Sequence, residues 1–306
     1  MVPVELPEQR VEDFDVSSEG CVARLRPLGS TAGQLVLFAA TLRPGQIIAA
    51  QARFRLTLLK QFFHFNKQQF PAAQEVPKEI RQQYSRDTVG IQTRPRLVRQ
   101  LAEEVAGQLD HPWDKAHAFK KWVLEHIHAE SALRYRGVVT AIRTGVGDCE
   151  ERSAVFAALC RVAGIPARIV WVPNHVWAEF WLRDHENRPY WIPAHTSGYT
   201  WFGLTGAHEL VMQKGEGIRV PEKRSRVRFI HEWAKWTGPK PQIQYTSQLT
   251  PLADGPHSDP GPGSRIKPPQ GAWQVGNHPL DKFLLNGQQA DESPFKKNKK
   301  EVMPWE

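Results

Sequence analysis

Cys149 and His175 are the residues of this chain whose types and setting suit the making and breaking of acyl bonds. Cys149 follows Gly147-Asp148, a turn and a helix N-cap, and opens the run Cys149-Glu150-Glu151-Arg152. A thiol at the first position of a helix meets unpaired amide N–H groups and the positive end of the helix dipole, which favour its thiolate. The same amides can hold the oxyanion formed when sulfur attacks a carbonyl. A base is needed next. His175 heads a strand-like run that follows the helix and one intervening strand, and this local order can return it over the helix N-terminus. A Cys–His pair activates the nucleophile and protonates the leaving amine. A third group must hold the imidazole by its other nitrogen. The next strand offers His195, in Trp191-Ile192-Pro193-Ala194-His195-Thr196. The Cys149 N–H is one oxyanion donor, and Tyr135 and Trp177 are candidates for a second.

The elements that must position these groups are legible to different degrees. Asp148 predicts an N-cap, and the helix then runs to Val162-Ala163. Gly164 ends it and Pro166 forbids its continuation. Strand-like runs follow at Ala167 to Val172, His175 to Leu182 and Tyr190 to Ile192, with Arg183 to Pro189 as a polar hairpin loop. Upstream, Leu97, Val98, Leu101, Val105 and Leu109 fall at helical spacing. Asp110 with Pro112 predicts a second helix, its apolar face being Ala116, Phe119, Val123 and Ile127. Residues 1–30 read as mixed and turn-rich. From Gln34 to Leu59 the pattern is that of strands, including Ile47-Ile48, with alternation continuing through Phe63 and Phe65. Arg226 to Ile230 also reads as a strand. From Pro251 onward proline and glycine dominate, which predicts a flexible tail. The expected organisation is a β-rich region over 1–92, a catalytic core over 93–250 and a largely disordered tail over 251–306.

Three runs together carry a resemblance. They are Gly147-Asp148-Cys149-Glu150-Glu151-Arg152-Ser153-Ala154, then Ala163-Gly164-Ile165-Pro166-Ala167-Arg168, then His175-Val176-Trp177-Ala178-Glu179. They resemble the transglutaminase-like superfamily, in particular its bacterial members described as candidate cysteine proteases. The resemblance implies a papain-like α+β core, with cysteine on a helix N-terminus packed on an antiparallel sheet. It implies acyl transfer through a thioester: proteolysis, deamidation or amide cross-linking. By that resemblance Cys149 is the nucleophile and His175 the general base and acid. One position departs. Aligned on Trp191, the family's usual Asp is His195 here. A neutral histidine can orient His175, but it cannot stabilise an imidazolium as a carboxylate does. A weak or inactive relative, kept as a binding or scaffold module, is therefore the second reading. Glu179 is an alternative carboxylate, but it lies about 13 Å along the strand from His175; Asp184 is another.

Composition narrows the rest. The chain has 306 residues, 41% hydrophobic and 24% charged, enough for a substantial core. Three cysteines, Cys21, Cys149 and Cys160, exclude a disulfide framework and a cysteine-rich zinc module. Cys160 reads as core and Cys21 as incidental. The net charge of +8 comes without a nucleic-acid-binding motif, so solvated basic residues explain it and no nucleic-acid partner is expected. The densest basic runs are Lys223 to Arg228 and Lys296 to Lys300. The histidines, His126, His128, His185 and His208 among them, form no metal-binding motif, and no cofactor or metal is expected. No apolar run is long enough to span a membrane. As written, the N-terminus carries no signal peptide, which reads as cytoplasmic, or as exported if a leader precedes it. The expected partner is a peptide or protein substrate. Of the tryptophans Trp171, Trp177, Trp181, Trp191 and Trp201, the pair Trp177 and Trp181 shares the face of His175. With Tyr135, that pair forms the candidate substrate-binding set.

Overall fold

The N-terminal region is built on two hairpin-like ribbons, in a computed structural model that describes residues 1–39, 41–59, 64–131, 134–197, 202–203, 209–250 and 252. Its strands are β1 (Gln9–Glu19), β2 (Val22–Pro27), β3 (Gly33–Phe38) and β4 (Ala49–Leu58). β1 pairs antiparallel with β4, and β2 with β3. Along β4 the alternation is regular. Ala50, Ala52, Phe54 and Leu56 are half-buried, and Gln51, Arg53 and Arg55 are exposed. Phe14 lies opposite Phe54 with ring centroids 6.1 Å apart, while Asp13 and Asp15 lie opposite Arg55 and Arg53. Paired rings on one face and opposite charges on the other fix the register. Two expectations fail here. β1 and β2 fall within the stretch read as turn-rich, and Ile47-Ile48 is not a strand, with Ile47 84% exposed.

The helices follow as α1 (Lys78–Tyr84), α2 (Arg96–Ala106) and α3 (Pro112–His126). The short strand β5 (His128–Ala129) leads to α4 (Val138–Thr144), β6 (Val146–Gly147) and α5 (Cys149–Val162). The sheet that concerns the site comes from β7 (Ala167–Val172), β8 (His175–Arg183), β9 (Pro189–Ala194) and β10 (Gln213–Lys214). Its order is β10-β7-β8-β9, antiparallel throughout. This is the expected α+β arrangement. Cap chemistry accounts for α3, although His111 and not Asp110 is its N-cap: the His111 ring accepts from the Trp113 N–H. Arg226 to Ile230 is not a strand. Val227 makes a single bridge to Ile218, and the Gln213 side chain bonds the Arg228 carbonyl and the Ile230 N–H.

α5 lies at the centre of the core. Every residue from Glu151 to Arg161 is buried, and the helix packs against α2, α3, α4, β7 and β8. Its C-terminus closes as expected, with Gly164 at φ 79° and the Ile165 N–H bonded to the Cys160 carbonyl. Val176, Ala178, Phe180 and Leu182 of β8 join that core, with Ile169 of β7 and Ile192 and Ala194 of β9. The opposite face of the sheet carries Trp177, packed with Val170, Val172, Leu6 and Val211.

The same outer face holds a buried ionic cluster. The Arg168 Nε donates to Glu179 at 2.8 Å, the Lys214 Nζ donates to Glu179 at 3.1 Å, and Lys214 also pairs with Glu8. Burial alone would raise the Glu179 carboxyl, but Lys214 and Arg168 override it and hold it at about 2. The stability this supplies is present in full above the ordinary value of 4.5 and is lost as pH falls through about 2. Glu179→Ala, which strands two buried cations, is expected to cost about 3–5 kcal/mol at neutral pH in urea unfolding. The deficit should shrink as the pH falls from 4.5 toward 2.

Residues 1–247 form one compact unit and residues 248–306 a second. Of the second, residues 248–250 and 252 are described and carry no regular structure. The tail expected over 251–306 lies outside the described residues except for Leu252, and Lys296 to Lys300 lie there as well. Phe63, Trp201 and His208 are also outside them. No helix among the described residues is long and apolar enough to cross a membrane.

Candidate active site

Asp148 fixes where α5 begins. Its carboxylate accepts from the Glu150 and Glu151 N–H groups at 2.9 and 3.1 Å, and the Glu151 carboxylate accepts from the Asp148 N–H at 2.9 Å. This reciprocal capping box makes Cys149 the first helical residue. Glu151 is locked in turn by Arg136, whose backbone N–H donates to it at 2.6 Å and whose guanidinium pairs with it. Glu150 pairs with Arg228, and the Arg228 guanidinium lies 4.2 Å from the Tyr135 ring centroid. The start of the helix is thus held by two carboxylate–arginine pairs.

His175 is placed by a turn. Pro173-Asn174 joins β7 to β8 with Asn174 at φ 64°, so Val172 faces His175 across the hairpin. Proline at the first central position and an asparagine tolerating positive φ at the second suit such a turn. α5 meets this end of β8. The Ser153 hydroxyl, one turn beyond Cys149, lies 3.4 Å from the Val176 carbonyl and 3.1 Å from the Thr196 hydroxyl. One serine therefore joins the cysteine helix to the residue after His175 and to the residue after His195. The sequence signal for it was present, since positions four apart share a helix face.

The electrostatics correct one expectation. Burial pushes the Cys149 thiol up to about 12, and the Asp148 carboxylate adds to the rise. The backbone N–H groups of Val176 and Cys149 and the Arg152 charge act the other way and offset only part of it. The resting thiol is therefore protonated, although it stands at a helix N-terminus. Cys160 is fully buried, and burial raises its thiol too. Cys21 is half-buried, with its sulfur 3.4 Å from the Ala49 carbonyl.

His195 is brought beside His175. Their rings are 6.0 Å apart at centroids, with planes 11° from parallel, and Trp177 stacks on His195 at 5.2 Å. His195 is 4% exposed. Burial, then the neighbouring His175 and Lys120 charges, push it down to about 3, so it is neutral across the physiological range. Lys120 of α3 is itself buried and drops to about 8 through burial. Its Nζ lies 5.9 Å over the Phe202 ring, and Phe202 bridges to Ala194 beside His195.

The aromatic expectations change. Trp181 is 2% exposed and Trp177 7%, so both are packing groups and not the open lining of a groove. The Tyr135 hydroxyl donates to the Gly90 carbonyl, which commits its hydrogen and removes it as a free oxyanion donor. Neither alternative carboxylate is available to His175: Glu179 is engaged by Arg168 and Lys214, and Asp184 by Arg188. Among the described residues, no three His, Cys, Asp or Glu side chains gather as a metal site requires.

Comparison with known proteins adds to this geometry. Residues 99–202 match the model of the transglutaminase-like superfamily. An uncharacterized protein of Haemophilus influenzae is 31% identical over 102 residues, which is 30% of this chain and 27% of that protein. The match therefore spans about a quarter of that relative's length. The crystal structure of a candidate cysteine protease from Cytophaga hutchinsonii superposes with a TM-score of 0.54 at 13% identity. It covers 70% of this chain and 74% of the other, a likeness of fold. A candidate protease from Parabacteroides distasonis gives a TM-score of 0.29 at 9% identity, over 60% of this chain and 38% of that one. Over residues 99–202, the chain is similar to the transglutaminase-like superfamily.

Proposed function

We propose that this protein is a cysteine-dependent acyl-transfer enzyme acting on peptide or amide bonds, with Cys149 as nucleophile and His175 as base. The observation that supports it most is the meeting of helix and strand: the Ser153 hydroxyl, one turn beyond Cys149, lies 3.4 Å from the carbonyl of Val176, next to His175, and 3.1 Å from the hydroxyl of Thr196, next to His195. Because the thiol rests protonated, its proton moves to His175 as the sulfur attacks. The carbonyl oxygen then takes the negative charge and accepts from the Cys149 N–H. Collapse expels the amine, which takes its proton from His175, and leaves a thioester on Cys149. Water completes a hydrolysis; a second amine completes a cross-link. His195, neutral, accepts from the other ring nitrogen of His175 and orients it.

The replacement of the family's Asp by His195 favours the competing reading, a domain retained for binding. Two assays separate them: cleavage of fluorescein-labelled casein, and incorporation of a fluorescent primary amine into casein. The enzyme reading expects at least one activity in the wild-type chain and neither in Cys149→Ala. Equal signals from the two proteins, both natively folded by circular dichroism, would leave the binding reading standing.

A further inference from the structure

Arg152 lies one turn beyond Cys149 in α5 and is 5% exposed. A buried guanidinium is costly unless carboxylates or carbonyls meet it. The other buried arginines are met in this way. Arg161 bonds the Ala167 and Arg86 carbonyls and Glu216, and Arg168 bonds Glu179. Arg152 is different. Its buried Nε has no acceptor, and no ion pair reaches its guanidinium among the described residues. Helix side chains lean toward the N-terminus, so its stem leans over the turn that Cys149 opens. The opposite charge that would act on it is a thiolate at Cys149.

We propose that Arg152 is kept unpaired for the anion the reaction makes at Cys149, and that its guanidinium holds the sulfur in its thiolate form. The inference rests on Cys149 as the nucleophile. The other charges around the helix start cannot take this role. Asp148 is anionic and opposes it, while Arg228 and Arg136 are paired with Glu150 and Glu151. His175, at the head of β8, takes the proton that leaves the sulfur and so becomes the second cation beside it. As the sulfur attacks, its charge passes to the carbonyl oxygen while the S–C bond forms and the C=O π bond opens, and no other reactant is needed.

The test is the rate of Cys149 alkylation by iodoacetamide between about pH 6 and pH 10, which tracks the thiolate fraction. It uses the full chain with Cys21→Ser, and peptide mass mapping assigns the label to Cys149. In Arg152→Met, which keeps bulk and removes charge, the curve is expected to move to higher pH and the rate at pH 8 to fall about tenfold. Arg152→Lys keeps a cation and should stay close to the parent. Thermal melting separates this from a structural role, because loss of an unpaired buried charge should leave the melting temperature unchanged or raised. Superimposable pH curves for the parent and Arg152→Met, or equal displacement in Met and Lys, would overturn the proposal. The readout needs no turnover, so a parent that alkylates normally but acylates nothing would defeat the proposed function and still decide the role of Arg152.

Discussion

His175→Ala is expected to slow acylation of Cys149 by about 10²–10⁴-fold, the range for loss of a general base. The size follows from the state of the thiol. A cysteine already ionised would attack without help, and loss of the histidine would be felt mainly at the leaving group. Here burial and Asp148 hold the proton on sulfur, with the thiol at about 12. Removing it is part of the attack, and His175 is the group assigned to do so. The loss should be smaller at alkaline pH, where hydroxide takes over part of the deprotonation. His175 is half-exposed at the end of a strand, so the variant should melt close to the parent. A loss below threefold in the acylation rate would remove His175 from the chemistry.

His195 gives the second large effect, and two substitutions are expected to move it in opposite directions. His195→Ala should lower the acylation rate by at least about tenfold, because the His175 ring loses what holds its orientation. His195→Asp should retain or raise the rate, since a carboxylate both orients the ring and stabilises the imidazolium. Lys120 bears on position 195 and its ammonium can serve as the counter-charge, against a smaller opposing effect of Glu179. With His195 pushed down to about 3, the wild-type acid limb above roughly pH 4 belongs to other groups. Equal rates and equal pH profiles for all three residues at position 195 would take it out of the site.

The parts of this site that were legible in the sequence are those set by local chemistry. Asp148, Gly164 and Pro166 mark the ends of α5 to the residue, because capping and left-handed backbone are properties of a few neighbouring residues. β7 and the start of β8 were equally plain, since short apolar runs at Ala167 to Val172 and His175 to Leu182 mark strands locally. α4 was not. Its residues Val138, Val139, Thr140 and Ile142 are poor helix formers, and it is bounded by Gly137 at φ 93° and Gly145 at φ 66° and stabilised by packing on α5. β1 was missed because Asp13 and Asp15 alternate with Phe14 and Val16 in a run with little apolar content, and its partner β4 lies far off in the chain. The protonated state of Cys149 and the commitment of the Tyr135 hydroxyl to Gly90 depend on contacts between distant segments. No local pattern carries them. Trp177 and Trp181 share the strand face of His175, as alternation requires, yet alternation cannot tell an open face from one covered by Val170, Val172 and Leu6, as that of Trp177 is.

The central claim is that acyl groups pass through Cys149. The most direct measurement mixes the full chain with p-nitrophenyl acetate and follows the first turnover. A burst of nitrophenolate equal to the protein concentration is expected, with the acetyl group mapped to Cys149 and not to Cys21 or Cys160. The burst should be absent from Cys149→Ala. No burst, or an acetyl group carried by Cys21 at the rate of a free thiol while Cys149 stays unmodified, would contradict it.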